Sequence, residues 1–252
     1  MRSKTILLCV CAALIAMVSI AGTFAYLIAE DTTENTFTVG KVKIKLDEAP
    51  VNELGETVAG DRVQFNNYKL IPGRDVYKDP MVTVLKGSEE SYVRMILTFH
   101  AQDAMNDIVN SAVHGLGGDY TKLLYNWQSS LWIYEGAVTD AIAGTVSLEF
   151  RYYKTVETVG ATDDLALEPL FEKLIVPATL NGDELEALEA GGFKIVVTAH
   201  AIQSYGFEAD TANGLSAEDV AWEAFDEQFE ADKNAAASDT NTSSAMTQTP
   251  TP

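Results

Sequence analysis

Three histidines, two cysteines and a large excess of acids are the reactive side chains of this 252-residue sequence. His100 and His200 fall near the ends of two alternating segments, on the less apolar face of each. Two strands could bring such a pair to one metal ion. A zinc centre needs three or four converging ligands, however, and His114 lies apart from both. The chain contains no HExxH, no GxSxG and no P-loop. The pattern predicts no catalytic residue, no metal centre and no cofactor. Acid groups such as Glu30-Asp31, Asp163-Asp164 and Asp183-Glu184-Glu186 could meet calcium, but none has the spacing of an EF-hand loop. They read as solvated acidic faces. Asn241-Thr242-Ser243 fits a glycosylation sequon.

Cys9 and Cys11 both lie in the first apolar run, so the body of the chain has no thiol for a disulfide, a zinc site or a nucleophile. The 37 acidic against 17 basic residues give a net charge of −20. That balance argues against nucleic acid as a partner, because phosphate binding needs a basic surface. A hydrophobic content of 47% is enough for a packed core.

The first segment has the layout of a secretory signal peptide. Arg2 and Lys4 form a basic start, Ile6 to Ile20 is apolar, and Thr23 and Ala25 occupy the small-residue places before a cut at Tyr26. Cutting after Ala21 also fits the small-residue rule. The uncharged run from Ile6 to Ala29 is long enough to span a bilayer, so an uncleaved anchor is the alternative. It is the only membrane contact the sequence suggests.

Past the leader, alternation predicts strands over 41–47, 81–85, 92–100, 131–134, 146–152 and 193–202, with a weak one at Val63 and Phe65. Parity changes at Gly40, which predicts a kink between the pair Phe37 and Val39 and the strand that follows. Ile71-Pro72-Gly73-Arg74 reads as a type II turn. Helical spacing appears in 102–114 and 182–190. Ser216 with Asp219 resembles a capping box for a helix to about 231, with Trp222, Phe225 and Phe229 on one side. From Asn234 onward the composition predicts disorder.

These elements suggest a mainly β protein, an antiparallel β-sandwich with a few short helices inserted in loops. Two sheets packed orthogonally as an open barrel is the alternative. The domain plan is a signal peptide over 1–25, a mobile arm or donor strand over 26–39, a β domain over 40–207, an acidic amphipathic helix over 208–233 and a disordered tail over 234–252. In the arm, Ile28, Phe37 and Val39 are apolar anchors around a polar interruption, and Gly40 is the hinge. The bland alternative is that this segment is simply the domain's own first strand.

Several short motifs, in order, carry a family resemblance. They are Ala21-Gly22-Thr23-Phe24-Ala25-Tyr26, Asn35-Thr36-Phe37-Thr38-Val39-Gly40-Lys41-Val42, Pro72-Gly73, Lys78-Asp79-Pro80 before Val82-Thr83-Val84, Ser91-Tyr92-Val93-Arg94, and Ala201-Ile202-Gln203. The chain resembles the TasA/camelysin proteins over roughly residues 20–100 and 190–205. The resemblance implies a secreted protein with a jelly-roll-like sandwich, released by a dedicated SipW-type signal peptidase. It also implies head-to-tail assembly with copies of itself into extracellular biofilm-matrix fibres, with an accessory protein as a possible anchor. Camelysins have also been classed as metallopeptidases, a label that the missing HExxH weakens here. A cell-surface metallopeptidase and a monomeric surface adhesin using the Trp222 helix are the rival readings.

Cleavage after Ala25 predicts Tyr26 as the first residue of exported protein. N-terminal sequencing checks this; a start at Met1 or Gly22 would show the assignment wrong.

Overall fold

The computed structural model describes residues 28–32, 34–35 and 42–245, with side chains from Val42 to Ala231. The described strands form three antiparallel sheets, and helices lie between or beyond them. The chain is mainly β, as its alternation predicts.

The largest sheet has six strands. At its middle is β6 (Ser91–His100), flanked by β12 (Ile195–Gln203) and β9 (Thr145–Tyr152). Outside β9 lies β8 (Trp132–Asp140). Outside β12 lies β1 (Ile28–Thr32), which turns back into the two-residue β2 (Glu34–Asn35). One smaller sheet joins β3 (Ile44–Asp47), β5 (Met81–Val84) and β10 (Leu165–Ala166). The other joins β4 (Val76–Tyr77), β11 (Lys173–Leu174) and β7 (Leu124–Tyr125).

Period-two alternation fixes the core. Val93, Met95, Leu97 and Phe99 of β6 are fully buried beside Val146, Leu148 and Phe150 of β9. They share one apolar cluster with Val82 and Val84 of β5, Ile44 of β3, and Val76, Leu174 and Leu124 of the second small sheet. Each such burial contributes about 1.5–3 kcal/mol. Two indoles close the cluster near β8. Trp132 donates to the Glu168 carbonyl at 2.9 Å, and Trp127 stands edge-on to Phe150 at 5.5 Å.

The helices fall where their spacing places them. Helix α1 (Gln102–Asn110) buries Met105, Ile108 and Val109, and α2 (Gly182–Ala190) starts at a capping box between Asn181 and Glu184. Both connect strands, as expected of insertions in loops. The type II turn is formed too: Arg74 N–H donates to the Ile71 carbonyl at 2.9 Å, with Gly73 at φ +77°.

Four expectations need correction. Val63 makes only an isolated bridge with Glu48, and Phe65 is 69% exposed, so no strand forms there. This connection mixes main-chain bonds, such as Val63 N–H to the Glu48 carbonyl at 2.8 Å, with bonds to side chains, such as Val51 N–H to Asn66 Oδ1 at 2.9 Å. Helix α3 (Ala217–Ala245) passes the predicted end near 231 and enters the tail expected to be disordered. The run Ala235-Ala236-Ala237, with the highest helical propensity, lies in that extension. The strand over 131–134 continues to Asp140, with an irregularity between Tyr134 and Gly136 that breaks its alternation. Finally, Ile28–Thr32, expected to be a mobile arm, pairs with β12 of its own chain, whose outward main-chain groups need partners.

Helix α3 packs on the second face of the large sheet. Ser216 and Asp219 form the expected cap: Asp219 N–H donates to Ser216 Oγ at 3.1 Å, and Ser216 N–H donates to the Asp219 carboxylate at 2.9 Å. Trp222 and Phe225 are buried with Ile202 and Phe207, and Phe229 packs against them. Under the helix lies Arg94, only 2% exposed. Its guanidinium sits 4.4 Å from the centre of the Trp222 ring and 5.0 Å from that of Phe225. It donates to both oxygens of Asp226 and, through Nε, to His200 Nδ1 at 3.2 Å. Arg151, the register partner of Arg94, donates to Glu149 at 2.7 Å and to Asp219 at 2.6 Å.

Phe225→Ala is expected to cost about 3–5 kcal/mol, the usual loss for a buried aromatic ring. A urea titration followed by fluorescence measures it; a loss under 1 kcal/mol would mean that α3 is not part of the cooperative fold. A second variant tests the cap. The Ser216 hydroxyl and amide, then Arg151, hold the Asp219 carboxyl below its usual range. Its folded value is depressed, so its contribution is present above the unfolded carboxylate value and is lost as pH falls through the folded one. Asp219→Asn should therefore destabilise at neutral pH by about 0.5–2 kcal/mol. The gap to the unaltered protein should close as pH drops below about 4. Paired melts at the two pH values check the sign.

Candidate functional site

The strongest candidate is the margin of the large sheet where β12 changes partners. Along its whole length β12 pairs with β6, from Ile195 opposite Phe99 to Gln203 opposite Ser91. On the other side, β1 covers only Ala199 to Ile202, with Ile28 opposite Ile202 and Asp31 opposite Ala199. His100 N–H donates to the Lys194 carbonyl at 3.0 Å. In an antiparallel strand the direction of these groups alternates. Ile195, Val197, Ala199 and Ala201 therefore aim theirs away from β6. Those of Ala199 and Ala201 meet β1. Among the described residues, no strand pairs with Ile195 or Val197 on that side.

A cleft of about 310 Å³ opens beside this bare stretch. Ile195, Val197, Leu46, Leu70, Leu174 and Phe193 supply apolar wall, and Phe65 stands at the rim. Its other end is polar. Glu48 and Lys78 are buried there and meet at 2.5 Å between Oε2 and Nζ. Asn66 Nδ2 donates to Glu48 Oε1 at 2.9 Å, and the Tyr68 hydroxyl donates to the same oxygen at 3.3 Å. Burial and the Glu48 charge push the Tyr68 phenol well up, so it stays a donor. Behind them, Arg62 bridges Asp47 at 2.5 Å and Asp79 at 2.8 Å. Each buried charge here has an opposite partner, as interior charges require.

The histidines do not converge. His200 lies in β12 on the face under α3, its ring 4.6 Å from that of Phe225. His100 sits at the far end of β6, where burial and then Lys194 lower its pKa. His114 is held between Thr179 at 2.7 Å and Glu184 at 2.9 Å, tying the loop after α1 to the start of α2. Among the described residues, no group of three His, Cys, Asp or Glu side chains is placed to hold a metal ion. In the Trp222 stripe, Trp222 and Phe225 are buried against the sheet and Phe229 is half-buried.

Of the residues expected to matter for assembly, only Ile28 is described, through its backbone pairing with Ile202. Phe37, Val39 and Gly40 lie outside the described residues, as do Thr23, Ala25 and Tyr26 of the cleavage site. Sequence reasoning missed the Glu48, Lys78 and Asn66 cluster. No local signal marks it, because Glu48, Asn66 and Lys78 stand among other polar residues and are far apart in sequence. Among the described residues, no helix is long and apolar enough to cross a membrane. Comparison of the chain with protein families, with curated proteins and with solved structures finds no match.

Proposed function

We propose that the chain is a secreted structural protein that builds extracellular matrix fibres, each subunit donating its N-terminal strand to the next. The observation that carries this reading is the attachment of β1. That strand is an addition at the sheet margin, held to β12 by four register pairs, Ile28↔Ile202 to Asp31↔Ala199. Its partner lies far away in sequence, with no hairpin between the two. The same main-chain groups would accept the same strand from a second copy, since strand addition depends little on side chains. Donation from one end to the other is heterologous and does not close, so it gives filaments.

The proposal includes a finer architecture. The apolar face of the six-stranded sheet shares its core with β3 and β5, which supports two layers stacked as a jelly-roll-like sandwich. The resemblance at the leader supports export through a SipW-type peptidase and an extracellular location. The partners are other copies of the chain and an anchoring accessory protein; the acidic surface disfavours nucleic acid. The reading assigns no catalytic role.

Donation to a second copy frees β1 from its own β12 and forms the same four pairs there, so the exchange itself gains little and association is bimolecular. Assembly should therefore depend steeply on concentration. Deletion of residues 26–35 from the mature chain is expected to leave a folded domain by circular dichroism that stays monomeric. Electron microscopy of concentrated protein decides: fibres from the folded deletion variant would rule out donation by this arm.

A further inference from the structure

The polar end of the cleft brings together a nucleophile, a proton carrier, an electrophile and an oxyanion donor. The nucleophile is Lys78 Nζ, on a side chain 8% exposed, at 2.5 Å from Glu48 Oε2. The proton carrier is Glu48, whose other oxygen accepts from Asn66 Nδ2 at 2.9 Å. One carboxylate thus touches both the amine and the amide nitrogen. The electrophile is the Asn66 carboxamide carbon. Its oxygen accepts a hydrogen bond from Val51 N–H at 2.9 Å, where negative charge would develop on attack. The amide is held in place by a second Nδ2 bond, to the Ala49 carbonyl at 2.9 Å.

We propose that Lys78 and Asn66 become joined by an intramolecular isopeptide bond, formed by the protein itself with Glu48 carrying the proton. For the reaction a proton passes from Lys78 Nζ to Glu48 Oε2, 2.5 Å away, leaving a neutral amine and a neutral acid. The Nζ lone pair attacks Asn66 Cγ, and the electron pair of its C=O bond moves to Oδ1, held by Val51 N–H. Glu48 delivers its proton to Nδ2 and takes the remaining excess proton from Nζ. The Cγ–Nδ2 bond breaks as the carbonyl reforms, and ammonia leaves through the cleft. The new bond is Nζ–Cγ. Nothing is oxidised or reduced, and no other reactant is needed.

The bond would fix a weakly structured part of the chain. Between β3 and β4 the described main-chain pairing consists of isolated bridges, such as Val51↔Thr57 and Ile71↔Arg74. Asn66 lies in this connection and Lys78 directly after β4. With no cysteine after Cys11, a disulfide cannot staple it. The reaction is independent of fibre assembly and does not require it.

The test is a tryptic digest of the exported, folded full-length protein, read by tandem mass spectrometry. Lys78 in amide linkage resists trypsin, so the expected product is a branched pair, residues 63–69 joined to residues 75–86. Its mass should be the sum of the two peptides less one ammonia. Free 63–69 together with a peptide ending at Lys78 overturns the proposal, as does a link from Lys78 to any other side chain. Glu48→Gln, confirmed folded by circular dichroism, should remain unlinked; linking to the same extent would remove Glu48 from its role. Should that variant not fold, Asn66→Asp decides: the same pair must then form with loss of water. Continued loss of ammonia would place the electrophile elsewhere and overturn the assignment.

Discussion

Arg94 cannot be buried in the central strand of the large sheet without the helix that covers it. A charge taken out of water costs several kcal/mol unless opposite charge and hydrogen bonds meet it. The sheet offers His200 on one side and Glu149 on the other, the latter at 3.6 Å from Nη1. Asp226 of α3 supplies the two-pronged contact, and the Trp222 and Phe225 rings supply faces for the planar cation. Arg151 adds a second constraint two helical turns away, through Asp219. Two arginines on neighbouring strands thus set both the position and the register of α3. Its acids are therefore of two kinds. Asp219 and Asp226 neutralise the sheet, while residues such as Glu223 and Glu227 face water.

A second set of buried charges organises the other end. Arg62 reaches back from an irregular connection to Asp47 on β3 and Asp79 before β5, and it also donates to the Asp47 and Asp79 carbonyls. Directional bonds of this kind do the work that regular pairing does elsewhere. A neutral substitute at Arg62 would remove the cation between two buried carboxylates, leaving Asp47 with Lys45 at 2.8 Å and Asp79 with the Ala49 N–H at 2.7 Å, a larger cost than one lost contact. The cleft exists because this polar frame holds the connection off the foot of β12.

Periodicity made much of the fold legible, and its limits are equally physical. The faces of β6, β9 and β12 followed from alternation, because one side of each is packed against apolar neighbours. The start of α3 followed from Ser216 and Asp219, a local signal. The two-residue strands β4, β7, β10 and β11 are too short to show any period. His200 was assigned correctly to the less apolar face of β12. That the face is buried under α3 depends on contacts between distant segments, which one sequence does not display. The same holds for Arg94 with Asp226, and for Asn66 with Glu48 and Lys78. The aromatic stripe of α3 was visible; the cation it covers was not.

The two margins of the large sheet are not equivalent, and the difference bears on how copies could join. The β8 margin is locked. Its hairpin to β9 is closed by Asp140, whose carboxylate accepts from Ile142 and Ala143 N–H at 2.9 and 3.0 Å. Register breaks between Tyr134 and Gly136, and Glu135 sits at the break, so a straight incoming strand would meet a displaced ladder and a negative charge. Separating β8 from its neighbour would also mean opening that turn and uncovering Trp132, a core residue. The β1 margin carries acids too, Glu30 and Asp31, but its pairing with β12 has no register break. No turn links β1 to β12, and the four pairs between them occupy only the end of β12 that β1 reaches. In the proposed fibre, strand exchange at this margin would swap one set of main-chain bonds for an identical set, and the net driving force would come from whatever else the joined copies bury, such as Ile195, Val197 and the apolar cleft beside them.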